Sequence, residues 1–213
     1  MPEFEGLLEG YRRFRESGYP IQRARYDKLV SEGQHPKTLI ISCSDSRVDP
    51  SQIFDVDPGE IFVVRNVAAL VPPFETTPGQ HGVSAAVEFA VQFLKVRQIL
   101  VMGHGMCGGC EAALSQDFHG NEPGAGGFVA NWVRLLDNAR AKVVAEHGTE
   151  GPEAKREMEF AAVRQSLANL RTFPWIRSKE ESGELNLRGT FFAISEGVLY
   201  HLDKGSDEFG PIE

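Results

Sequence analysis

Three uninterrupted apolar runs organise the first half of the chain. Thr38-Leu-Ile-Ile-Ser42, Glu60-Ile-Phe-Val-Val-Arg65 and Gln98-Ile-Leu-Val-Met102 are short and continuous rather than alternating, the pattern of strands in a sheet covered on both faces. Between the second and third runs, Val83, Ala86, Val87, Ala90, Val91 and Leu94 recur at helical spacing and share one face. Strand, helix and strand in this order predict a right-handed parallel crossover. Phe4, Leu7, Leu8, Tyr11 and Phe14 predict an amphipathic helix ahead of the first core strand, suited to packing on a second subunit. Further on, Val129, Trp132, Val133, Leu136 and Val143 mark one helical stretch, and Phe160, Val163, Leu167 and Leu170 another. A fourth apolar run, Gly189–Ser195, a turn at Glu196-Gly197 and a run at Val198–Leu202 read as strand, turn and strand. The Gly/Pro-rich stretch from Phe118 to Gly127 reads as a loop. No repeat or dividing linker interrupts the chain. The expected fold is a single α/β domain over 1–213, a mostly parallel central sheet flanked by helices.

Composition narrows the function classes. A net charge of -8 argues against nucleic acid and anionic membranes as partners, because both demand a basic face. No apolar run approaches the ~20 residues that span a bilayer, and MPEFEGLLEGYRRFRESGYP lacks the apolar centre of a signal peptide. The expected location is cytoplasmic. Cys43, Cys107 and Cys110 are the only cysteines. In a reducing compartment, so small and odd a set suggests metal binding or catalysis rather than a disulfide framework.

The stretch GHGMCGGC at 103–110 admits three readings. As a dinucleotide fingerprint its expected acidic position falls near Glu122 in the Gly/Pro loop, with no strand before it. As a Cys107–Cys110 redox pair it leaves His104 and the CSDSR segment without a role. As part of a metal site it needs a further ligand, and Cys43 supplies one. Cys43 lies just past the strand at 38–42, as His104 and Cys107 lie just past the strand at 98–102. If those strands are parallel neighbours, both tips share the carboxyl edge of the sheet, where open α/β sheets place their sites. Two thiolates and an imidazole suit tetrahedral zinc, and three protein ligands leave a corner open for water. Spacing alone leaves Cys110 open as a fourth ligand, which would make the site structural. Asp45 and Arg47 follow Cys43 by two and four positions. There a carboxylate could steady a zinc-bound hydroxide, with Arg47 clamping it and keeping it off the metal. Attack by that hydroxide on a small electrophilic carbon is the natural chemistry.

CSDSRVDP at 43–50, PGEIFVVRNVAALVPP at 58–73 and GHGMCGG at 103–109 closely resemble the β-class carbonic anhydrases. The likeness runs from about Gln34 to LRGTFFAISEGVLYHLD at 187–203. It implies one zinc ion per chain on Cys43, His104 and Cys107, an Asp45–Arg47 dyad, and reversible hydration of carbon dioxide to bicarbonate and a proton. It implies a zinc-binding core over 34–203 behind an N-terminal helical arm over 1–33 that embraces a partner. The expected assembly is a dimer, tetramer or larger even form with the active-site cleft at the dimer interface. Substrate-pocket positions carried over are Gln34, Phe62, Val67, Phe89 and Gly108. Many members have tyrosine at Phe89, and a bacterial subset has tryptophan at Ile40. Gln34, Ile40 and the VPPF segment together imply the plant-like subtype, with water rather than Asp45 on zinc. Arg65 occurs in both subtypes and is compatible with a structural role. Two alternatives remain: hydrolysis of carbon disulfide or a related electrophile on the same scaffold, and a non-catalytic zinc protein closed by Cys110. His35, His81, His119, His147 and His201 read as solvated or locally bonded, and none is singled out for proton transfer.

Overall fold

The computed structural model of the chain describes residues 3–118, 120 and 122–212. Strands β1 (Thr38–Cys43), β2 (Ile61–Asn66), β3 (Gln98–His104), β4 (Asn186–Ala193), β5 (Val198–Leu202) and β6 (Phe209–Pro211) form one sheet in the order β2-β1-β3-β4-β5-β6. The first four are parallel; β5 pairs antiparallel with β4, and β6 antiparallel with β5. All three early runs are strands, and Gly189–Leu202 is the expected strand, turn and strand. The crossover from β2 to β3 passes over β1, which lies between them.

The continuous apolar runs arise because successive residues feed opposite faces. Leu39, Ile41, Ile99 and Val101 enter one hydrophobic cluster, while Ile40, Leu100 and Met102 enter another. Edge strand β2 is half-buried along its length.

The helices are α1 (Phe4–Arg13), α2 (Tyr19–Glu32), α3 (Pro50–Ile53), α4 (Gly82–Glu88), α5 (Gly108–Ser115), α6 (Gly127–Val133), α7 (Asp137–His147), α8 (Gly151–Leu170) and α9 (Pro174–Glu181). A π-helical turn at Phe14–Gly18 joins α1 to α2, so the single predicted helix is a longer arm with no buried residue. The predicted stretch at 129–143 is two helices, broken by a 3-10 turn at Arg134–Leu136. The helix at 83–94 widens into a π-helical segment at Phe89–Phe93.

Helix α8 positions the site. It runs against β3 and β4, and glycines in those strands allow the approach. A Cβ on Gly103 would come within 2.6 Å of Val163 Cγ2, and one on Gly189 within 2.9 Å of Val163 Cγ1. Among the described residues, no helix is long and apolar enough to cross a membrane.

Candidate metal centre

Strands β1 and β3 pair in parallel with Ser42 opposite Met102. Cys43, ending β1, and His104, ending β3, therefore emerge at the same edge of the sheet. Three residues on, Cys107 occupies the N-cap of α5. One donor atom from each of Cys43, His104 and Cys107 lies within 4.8 Å of the others, and all three residues are buried. The two Sγ atoms are 4.0 Å apart, against about 3.8 Å for two thiolates on tetrahedral zinc with Zn–S bonds of about 2.3 Å.

The imidazole is oriented for a metal. His104 Nδ1 lies 2.9 Å from the Gly105 carbonyl oxygen. Donation there places the ring proton on Nδ1 and leaves a lone pair on Nε2. Nε2 is buried and has no hydrogen-bond partner among the described residues, a costly arrangement unless a cation takes the lone pair. Contact with Cys107, then burial, pushes the Cys43 thiol up to about 12. Cys107 is raised too, foremost by its contact with Cys110. Two buried neighbouring thiolates repel unless a cation lies between them, so the donor set fits a soft-to-borderline divalent ion. Cys110 is buried beside Cys107 but outside the group of three. The closed four-ligand site is thus not assembled, and all three cysteines are unpaired by disulfides.

Arg47 grips Asp45 with two prongs, Nε to Oδ1 at 2.9 Å and Nη2 to Oδ2 at 2.7 Å, and the Arg47 N–H adds a third bond to Oδ1 at 3.0 Å. This clamp holds the Asp45 carboxyl well below the usual carboxylate range. Arg47 Nη2 also donates to the Met106 carbonyl at 3.0 Å, tying the two ligand loops together.

Arg65 is a loop clamp. Nε donates to the Cys43 carbonyl at 2.9 Å, Nη2 to the Asp45 carbonyl at 2.6 Å, and Nη1 to Asp49 Oδ2 at 2.9 Å. Asp49 in turn caps α3 through the Ser51 N–H at 2.8 Å. Glu159 of α8 is a site residue that the sequence pattern does not reveal. It is 5% exposed, and its Oε1 accepts from the Cys107 N–H at 3.1 Å. Burial pushes its carboxyl above the ordinary value, and the Cys107 N–H opposes that.

The pocket residues divide. Gly108 opens α5 directly after Cys107 of the donor group. Val67, in the 3-10 turn just past β2, is packed so close to α5 that a Cβ on Gly109 would lie 2.6 Å from its Cγ1. Its carbonyl accepts from Trp132 Nε1 at 2.8 Å. Gln34 is exposed at the junction of α2 and β1. Phe62 pairs in register with Leu39, four residues before Cys43, about 13 Å along a strand. It packs against the cluster holding Leu39 and Ile41, whereas Cys43 and Cys107 belong to the other. Phe89 stacks near it, ring centroids 5.9 Å apart, and on Phe93 at 5.7 Å. A single chain therefore does not bring Phe62 and Phe89 to its own ligand group. His119 lies outside the described residues.

The profile of the family described as carbonic anhydrase matches residues 38–199, which include every residue of the ligand group and the dyad. The chain belongs to the β-class carbonic anhydrases. A carbonic anhydrase of Pseudomonas aeruginosa is 39% identical over 204 residues, covering 95% of this chain and 89% of that protein. Beta carbonic anhydrase 5, chloroplastic, of Arabidopsis thaliana is 36% identical over 191 residues, covering 89% of this chain and 61% of its own length. Among solved structures, the β-carbonic anhydrase CcaA superposes with a TM-score of 0.89 at 32% identity, covering 98% of both chains. A Coccomyxa β-carbonic anhydrase in complex with acetazolamide gives 0.78 at 28%, covering 100% of this chain and 89% of that one. One of the two tetrameric β-carbonic anhydrases of Sordaria macrospora gives 0.76 at 28%, covering 93% and 96%. As a β-class carbonic anhydrase, the chain carries its donor group and the Asp45–Arg47 pair at and just past the carboxyl ends of β1 and β3, the most buried strands of its sheet.

Proposed function

We propose that the chain catalyses reversible hydration of carbon dioxide to bicarbonate and a proton, using one zinc ion per chain held by Cys43 Sγ, His104 Nε2 and Cys107 Sγ. The observation that carries this reading is the pairing of three converging buried donors with a carboxylate held beside them by Arg47. Zinc bound there would act as a Lewis acid and acidify a water molecule at its open corner. Asp45, kept anionic by Arg47, accepts a hydrogen bond from the attacking oxygen and aims its remaining lone pair at the carbon. The Arg47 clamp occupies both carboxylate oxygens, which favours Asp45 as an orienting group rather than a ligand and supports the plant-like subtype. Val67 and Gly108 border the reacting position.

Gln34, Phe62 and Phe89 would complete the pocket from a second copy. This assignment is supported by the half-exposed Phe89, the exposed Phe93 beside it, and the exposed apolar side chains Phe4, Leu7, Tyr11, Ile21 and Val30 on the helical arm. It agrees with the tetrameric state named for the Sordaria relatives. We assign residues 1–33 as the arm and 34–203 as the zinc-binding core. Three unpaired buried cysteines favour a reducing, cytoplasmic setting.

Metal analysis with a stopped-flow pH-indicator assay on the purified protein tests the proposal. One zinc per chain and hydration above the buffer rate are expected; a metal-loaded protein with no rate above buffer would refute it.

A further inference from the structure

The Met106–Cys107 peptide group is gripped on both sides. Its carbonyl oxygen accepts from Arg47 Nη2 at 3.0 Å, and its N–H donates to Glu159 Oε1 at 3.1 Å. In a trans peptide these two groups point in opposite directions, so one plane links a buried carboxylate on α8 to the guanidinium that clamps Asp45. Met106 has φ of 57°, a left-handed conformation that a side-chain-bearing residue adopts only when its surroundings impose it. Glu159 is itself held. Arg156, one turn earlier on α8, stands 3.9 Å from Oε2, bonds Glu196 at 3.4 Å and lies over the Phe191 ring at 4.8 Å. That arrangement leaves Oε1 directed at the Cys107 N–H.

We infer that Glu159 is a positioning residue: through the Met106–Cys107 peptide it sets where Arg47, and hence Asp45, stands relative to the ligand group. The inference rests on the proposed function for its kinetic consequence, but not for its geometric one. Removing the acceptor frees the peptide to rotate. Its carbonyl then leaves Arg47, and the dyad loses the contact that ties it to the second ligand loop.

A double-mutant cycle with an exchange measurement tests this. Glu159→Met fills the same space without an acceptor. It should lower kcat/KM per bound zinc about 10–100-fold, the usual cost of losing an outer-shell partner. Glu159→Gln keeps an oxygen for the N–H and should recover most of that loss. In an Arg47→Ala background the methionine change should add less than about twofold, because both substitutions break one linkage. In metal-free protein, hydrogen–deuterium exchange at the Cys107 amide should speed at least about tenfold in Glu159→Met and stay slow in Glu159→Gln. A wild-type kcat/KM in Glu159→Met, a full multiplicative loss in the Arg47→Ala background, or unchanged exchange at Cys107 would each overturn the inference. If the methionine variant does not fold, Glu159→Asp, which retracts the carboxylate by one methylene, takes its place with the same outcomes. Wild-type protein without hydration activity would sink the proposed function instead, while the exchange measurement still decides the geometry.

Discussion

At the residue scale, Asp45 is where the proposed mechanism separates chemistry from metal binding. Asp45→Asn should retain one zinc per chain and lose about 10–100-fold in kcat/KM, read by metal analysis and stopped-flow hydration. Unchanged turnover would refute its role. Cys110→Ser should leave zinc content and turnover intact, because Cys110 stands outside the ligand group. The thiols give the metal-free protein a pH signature. Cys43 is pushed up to about 12, and Cys107 is also raised. Above about pH 8.5 the unfolded chain releases thiol protons that the folded state keeps. Stability of the metal-free form should fall as pH rises from there toward 12, measured as a declining thermal midpoint, and zinc should abolish the trend by replacing those protons. Cys43, His104, Cys107, Asp45 and Arg47 were legible because each sits immediately past a recognisable strand. Glu159 was not. A glutamate inside a helix reads as solvent-facing, and its burial depends on how closely α8 approaches the Cys107 turn.

At the scale of elements, the approach of α8 to the sheet is the feature most open to test. Gly103→Ala places a methyl against Val163 and should cost about 1–3 kcal/mol in urea unfolding, the usual penalty for overpacking. Gly82→Ala, at the start of α4 with no atom within 4 Å of its Cβ, should be neutral or stabilising. Equal effects would contradict the packing described. The strands were readable because burial on both faces leaves continuous apolar runs. Helix α9 was not, since only Ile176 of its eight residues is buried. Strand β6 was not either: it has three residues, including Gly210 and Pro211, and depends on pairing with β5. The place of β1 between β2 and β3 follows from tertiary packing, which a strand–helix–strand pattern does not encode.

At the scale of the whole molecule, the proposed pocket needs a second copy. No described arm residue is fully buried, α2 meeting its own core at the Asp57–Glu60 turn through Gln22, Arg25 and Leu29, and Phe62 and Phe89 lie away from the donor group of the same chain. Phe93→Glu, at a side chain 70% exposed, should shift sedimentation toward the monomer and abolish hydration while zinc stays bound. An active monomer would refute the shared pocket. The sequence pattern predicted the α/β class and the site at the carboxyl edge of the sheet, because both follow from local burial. The expected cleft between copies came from the family resemblance and not from the apolar pattern, since it depends on surfaces meeting. The most direct test of the account is X-ray absorption at the zinc edge of the purified protein. Two sulfurs at about 2.3 Å, one imidazole nitrogen at about 2.0–2.1 Å and one solvent oxygen are expected. Three sulfurs, or four protein donors, would contradict it.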